Sequence, residues 1–159
     1  MLSEYLQSRF QKAIFHGESL ELPSNISIAL TSDLPEDSDD GETMPEIPET
    51  IMRSGVNETG QSGLYEYNTG YARVSVATPA IDGSQNWKYV GSGTIENVRQ
   101  VVFDTCREHW GVVSGVAIMD TSNYGEGNIL YYGQLEYPRH AREGDAIKFD
   151  ANELDICLE

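Results

Sequence analysis

From residue 26 onward the chain is written in short runs that alternate apolar and polar residues, each cut off by glycine, proline or Asx turn signals. This rhythm constrains the fold more than any other feature, because a period of two buries one face of a strand whereas a helix needs a period near 3.6. Ile26-Ser27-Ile28-Ala29-Leu30-Thr31 is the first such run, and Tyr71 to Val76 the second. Trp87, Tyr89 and Val90 follow an Asp82-Gly83-Ser84 turn signal, and Glu96 to Phe103 carries Val98, Val101 and Val102. Val112 to Asp120 is the most apolar stretch and predicts a central strand. Ile129 to Leu135 is next, with Pro138 expected to end it; Ala146 to Phe149 and Leu154 to Leu158 close the series. Seven or eight strands at this spacing, with no helices between them, predict an antiparallel sandwich or barrel.

One segment has the other period. Leu2 to His16 predicts a helix, with Ser3 as its cap, Glu4 in its first turn and Gly17 as its stop. Leu2, Tyr5, Leu6, Phe10, Ala13 and Ile14 form its apolar stripe, which packs either on the protein's own core or on a neighbouring subunit.

The chain has 159 residues, 26 acidic against 10 basic, and a formal charge of −16. That length suits one domain able to bury a core without staples. The charge argues against binding phosphate backbones or anionic lipid, so neither nucleic acid nor membrane is an expected partner. Eight acids, Asp33, Glu36, Asp37, Asp39, Asp40, Glu42, Glu46 and Glu49, fall within 17 residues that also hold Pro35, Pro45 and Pro48 and no base. Like-charge repulsion and proline predict a long loop here, extended or mobile. Without it the chain carries 18 acids against 10 bases, an ordinary balance. The loop is not an EF-hand: with Gly41 at the sixth position, Ser38 falls third and Ile47 twelfth. Ser54 to Gly70, with four glycines, extends the loop character, giving an acidic and glycine-rich insert over about 33–69.

No residue set announces chemistry. His16, His109 and His140 share no metal spacing, and no known catalytic or phosphate-binding motif is present, so neither a catalytic centre, a metal nor a cofactor is expected. Cys106 and His109 stand three apart, a spacing that turns them to opposite faces of a strand end. Unpaired Cys106 and Cys157 suit a reducing compartment, and Met1 to Tyr5 lacks the basic and apolar regions of a secretion signal. Tyrosines and tryptophans crowd the middle and late chain, where they serve either as strand packing or as a sugar-stacking face.

Four blocks in order resemble a family of small structural virion proteins of tailed bacteriophages, known mostly as tail-fibre or tail proteins. They are Leu2-Ser3-Glu4-Tyr5-Leu6 through Phe15, Leu22-Pro23-Ser24-Asn25-Ile26-Ser27-Ile28-Ala29-Leu30, Gly70-Tyr71-Ala72-Arg73-Val74, and Trp110 to Asp120 continuing through Gly127 to Leu135 and on to Leu158. The resemblance lapses between about Asp33 and Asn68. It implies a non-enzymatic structural part of a phage particle; joined to the strand reading, the expectation is a mainly β fold, one jelly-roll-like β-sandwich over 1–159 with an N-terminal helix over 3–16 and a long acidic loop where the resemblance lapses. It also implies a homo-oligomer assembled in the host cytoplasm with other virion proteins, as capsid decoration or as part of neck, tail or fibre. Leu2, Tyr5, Leu6 and Phe10 become its candidate docking stripe. A host-glycan adhesin is the alternative.

Overall fold

The computed structural model describes residues 1–77 and 86–157. Its elements, in order, are helix α1 (Glu4–His16) and strands β1 (Asn25–Thr31), β2 (Thr50–Val56), β3 (Ser62–Asn68), β4 (Val74–Ala77), β5 (Trp87–Gly91), β6 (Thr94–Asn97), β7 (Val101–Val102), β8 (Gly111–Met119), β9 (Ile129–Ala141), β10 (Lys148–Phe149) and β11 (Asp155–Cys157). Among the described residues the fold is mainly β, with one helix and antiparallel pairing throughout, as the strand rhythm predicts. Asp82 to Ser84 and Leu158 lie outside the described residues.

The helix forms where its caps dictate. Ser3 accepts the Leu6 N–H through its side chain, and Gly17 closes the last turn at φ +66°, a left-handed conformation that favours glycine. Ser3 is itself fully buried, its hydroxyl donating to the Ile129 carbonyl, so the cap also anchors the helix to β9.

The central sheet has the order β4-β1-β8-β9. Both of its faces are covered, which is why β1 is buried continuously from Ser27 to Thr31. Ile28, Leu30, Val113, Ile118 and Leu130 face the main core, together with Tyr71, Val101, Phe103, Trp110, Ile147 and Phe149. That core lies between the central sheet and two smaller ones, β10-β7 and β11-β6-β5. The opposite face is built from small residues, Ala29 and Ala117, with Met119, Ile129 and Tyr132; Met44 and Leu34 of the acidic segment pack there.

The acidic segment therefore departs from expectation. It contains no helix or regular strand, yet it is not an extended solvated loop. Ser32 and Ile47 N–H groups donate to Pro45 and Leu30 carbonyls at 2.9 and 3.0 Å, and Gly41 N–H donates to Gly127 at 2.8 Å. Leu34, Pro35, Gly41, Met44 and Ile47 turn inward while Glu36, Asp37, Asp40 and Glu42 turn out. Apolar spacing between the acids wins over their repulsion, because burying each large apolar side chain is worth about 1.5–3 kcal/mol against a weak, solvent-screened repulsion.

Three further expectations are corrected. Ser54 to Gly70 is not loop: β2 and β3 pair in register from Thr50↔Asn68 to Val56↔Ser62. Their turn is made by Asn57, whose side-chain oxygen accepts the Thr59 and Gln61 N–H groups, and by Gly60 at φ +83°. Glu96 to Phe103 is not one strand but two, β6 and β7, in different sheets. Pro138 does not end its strand. β9 lies at the edge of the sheet, where a missing N–H is tolerated, and it bulges between Gln134↔Gly115 and Arg139↔Val113.

A buried lock and the candidate interaction surfaces

The Gly70-Tyr71-Ala72-Arg73 block lies ahead of β4 rather than within a strand, and each of its conspicuous residues has a physical reason. Gly70 adopts φ +79°, and a Cβ there would sit 2.7 Å from the Thr105 carbonyl oxygen. Tyr71 is buried, its ring edge-on to Trp110 with centroids 5.5 Å apart and stacked on Phe103 at 6.4 Å. Its hydroxyl donates to Glu46 at 2.7 Å and accepts the Leu30 N–H at 3.0 Å. Burial first, then the Glu46 charge, holds the Tyr71 phenol well above its ordinary pKa, so it stays a donor.

Arg73 completes the arrangement. Its guanidinium grips both carboxylate oxygens of Glu46, Nε at 2.8 Å and Nη2 at 2.7 Å, and Nη1 donates to the carbonyls of Thr121 and Glu126 at 3.2 and 2.9 Å. The two side chains are 0% and 3% exposed. A planar fork is suited to this, since one side chain satisfies a carboxylate and two carbonyls at once. The lock ties the acidic segment, the β8–β9 loop and the start of β4 together. Sequence reasoning singled out the block but not Glu46, one acid among 26, whose distinction is a partner 27 positions away.

The candidate docking stripe divides. Leu6 is buried in the main core, and Leu2 and Phe10 pack half-buried against it, so these three meet the protein's own sheet. Tyr5 stays 37% exposed. The helix's barest apolar side chains are instead Ile14 and Phe15 in its last turn, 72% and 78% exposed.

The cysteine and histidines are not brought together. Cys106 is buried while His109 is exposed, and burial, then the Asp145 charge, pushes the Cys106 thiol up to about 11, the opposite of an activated nucleophile. Among the described residues no group of three or more His, Cys, Asp or Glu is placed to hold a metal ion. No described helix is long and apolar enough to cross a membrane. The aromatics also divide: Tyr71, Trp110 and Tyr132 are buried, whereas Tyr89 and Tyr137 are 71% and 73% exposed. On the β2–β3 hairpin, Arg53 lies 3.7 Å over the Tyr67 ring and pairs with Glu108, while Met52, Val56 and Leu64 stand bare on the other face.

These features are those of a β-rich structural module: a sheet covered on both faces, a buried ion-pair lock, and apolar side chains left at its surface. The family model described as podophage GP4 fiber I protein gp80 matches residues 1–157, and the chain belongs to that family. It is thus a tail-fibre-type structural protein of a tailed phage. No curated protein matches the chain.

Proposed function

We propose that the chain is a non-enzymatic, homo-oligomeric part of a podophage fibre, forming one β module over residues 1–159 that is assembled into the particle in the host cytoplasm. The family match over residues 1–157 carries this reading. The doubly covered sheet and the buried Arg73–Glu46 pair support it, because a part repeated around a symmetry axis must present the same surface in every copy. Its contacts are with itself and with other virion proteins, not with nucleic acid or membrane. The start of the helix, Leu2, Leu6 and Phe10, fixes α1 to the module, and Tyr5 with the bare pair Ile14 and Phe15 meets the neighbour. A position as capsid decoration or in the neck is the less favoured version.

Mass spectrometry of purified virions tests the reading: the chain is expected in a copy number that is a fixed multiple of the tail's symmetry. Absence from particles of normal composition would refute it. Converting Ile14 and Phe15 to Lys is expected to leave the fold intact and abolish incorporation.

The adhesin reading keeps one support, the exposed rings of Tyr89 and Tyr137. Tyr89→Ala with Tyr137→Ala separates the two: lost adsorption by normally assembled particles favours glycan binding, and unchanged adsorption removes it.

A further inference from the structure

A cleft of about 380 Å³ opens between the central sheet and β11. On β9 the residues from Tyr131 to Glu136 line it one after another, and on β11 so do those from Leu154 to Cys157. Side chains alternate across a strand, so consecutive lining residues mean that the strand turns its edge as well as one face toward the opening, whereas β8 reaches it only through the alternate residues Val116 and Ile118.

The hydrogen bonds agree. Tyr132 exchanges both of its backbone groups with Met1, at 3.0 and 2.8 Å, on the side away from β8. Two residues on, the alternation turns the N–H and C=O of Gln134 to the same open side, beyond the reach of the Met1–Ser3 segment. On β11, Leu154 gives its carbonyl to Asn97 of β6 at 3.2 Å, so Asp155 and Cys157 turn their backbone groups away from β6. Among the described residues, neither Gln134 nor Asp155 has a backbone partner outside these ladders. A Cβ on Gly133 would meet open space. The walls supply apolar side chains from Val116, Ile118 and Ile156. The buried indole N–H of Trp87, also in the lining, has no acceptor among the described residues. The charged groups of the lining are the carboxylates of Glu136, Glu153 and Asp155 and the Met1 ammonium, which donates to the Tyr132 carbonyl at 2.8 Å; there is no Lys or Arg. Glu153 is already engaged by Arg139 at 2.6 Å, which leaves Glu136 and Asp155.

We propose that this cleft is a strand-addition site that accepts an extended segment of another virion protein, alternating apolar residues with Lys or Arg. The open edges supply main-chain hydrogen bonds, the apolar floor takes every second side chain, and the two acids select for positive charge. That the source is a virion protein rests on the fibre reading; the strand-addition site itself does not.

The test has two arms. In the first, fluorescence anisotropy measures the full chain binding a labelled peptide alternating Lys with Val, and its Glu-for-Lys counterpart. The Lys peptide is expected to bind and the Glu peptide not. Glu136→Lys with Asp155→Lys, both at exposed positions, is expected to reverse that preference. Gln134→Pro, which deletes one outward N–H, is expected to weaken the Lys peptide about tenfold. No binding, or equal binding of both peptides, overturns the site, as does an unchanged preference after charge reversal.

In the second arm, a photo-crosslinker on the Cys157 thiol is activated in intact virions; Cys106, being buried, stays unlabelled. Crosslinks to a Lys- or Arg-bearing strand of a different virion protein support the assignment. Crosslinks only to copies of this chain overturn the partner while leaving the first arm to judge the site.

Discussion

Replacing Arg73 by Met keeps most of its length and apolar stem while removing the charge that faces Glu46. In the folded protein the Glu46 carboxylate then stays buried, 3% exposed, with the Tyr71 hydroxyl as its remaining donor. Breaking a buried ion pair from one side costs about 3–5 kcal/mol, chiefly because the stranded charge cannot recover its hydration. The carbonyls of Thr121 and Glu126 lose a donor too, which raises the cost unless water reaches them. For a chain of this length about 1 kcal/mol moves Tm by roughly 2–4 °C, so Arg73→Met should lower Tm by roughly 6–20 °C. Native stability is about 5–15 kcal/mol, so the variant should still fold at low temperature. The control is Arg53→Met. Its partner Glu108 is held at a similar 2.8 Å, but Arg53 is 47% exposed, and surface pairs contribute about 0–1 kcal/mol. Urea denaturation of both variants, read by Trp fluorescence, decides the matter. Adding Glu46→Leu to Arg73→Met should recover part of the loss, because it removes the stranded charge. A cost under about 1 kcal/mol for Arg73→Met, or an equal cost for Arg53→Met, would refute the role of the buried pair.

Other outcomes follow from the same geometry. Gly70→Ala should destabilise more than Gly60→Ala, because both have positive φ but only at Gly70 does a Cβ meet backbone; thermal unfolding compares them. Met44→Ala should cost about 2–5 kcal/mol, since Met44 plugs the second face of the central sheet; a solvated acidic loop would give near zero. Cys106 has a folded-state pKa raised from 9 to about 11, so the stability from its buried neutral thiol is full below pH 9 and lost as pH rises through 11. Tyr132, pushed from 10 up to about 12 by burial and then by its hydrogen bond to Asp37, adds a second loss above pH 10. Urea midpoints measured from pH 8 to 11 should fall less steeply for Cys106→Ala than for the unaltered chain.

What could be read from sequence was what local pattern encodes. Ser3 and Gly17 set the helix ends, and β1 and β8 carry enough β-branched and apolar residues to declare themselves. The β2–β3 hairpin was hidden because glycines stand where alternation would show an apolar residue. Gly55 and Gly63 face one another in register, and Tyr67 and Tyr65 lie over them. The Asn57–Gly60 turn was the signal available. The acidic segment misled for a different reason: charge density was visible, but the inward residues between the acids have no helix or strand period. Their burial depends on a sheet face that joins the nearby Ala29 to Ala117, Met119 and Ile129, far along the chain. The lock needed a pairing across 27 residues, and the cleft depends on which strand edges remain open. Neither is a property of any window of sequence.

A reconstruction of the intact particle would show where this chain sits. Fibre density at the tail is expected, repeated with its symmetry, into which the β module fits with Ile14 and Phe15 at a contact with a neighbouring subunit. Density for this chain on the capsid lattice, or none in fully assembled particles, would contradict that placement.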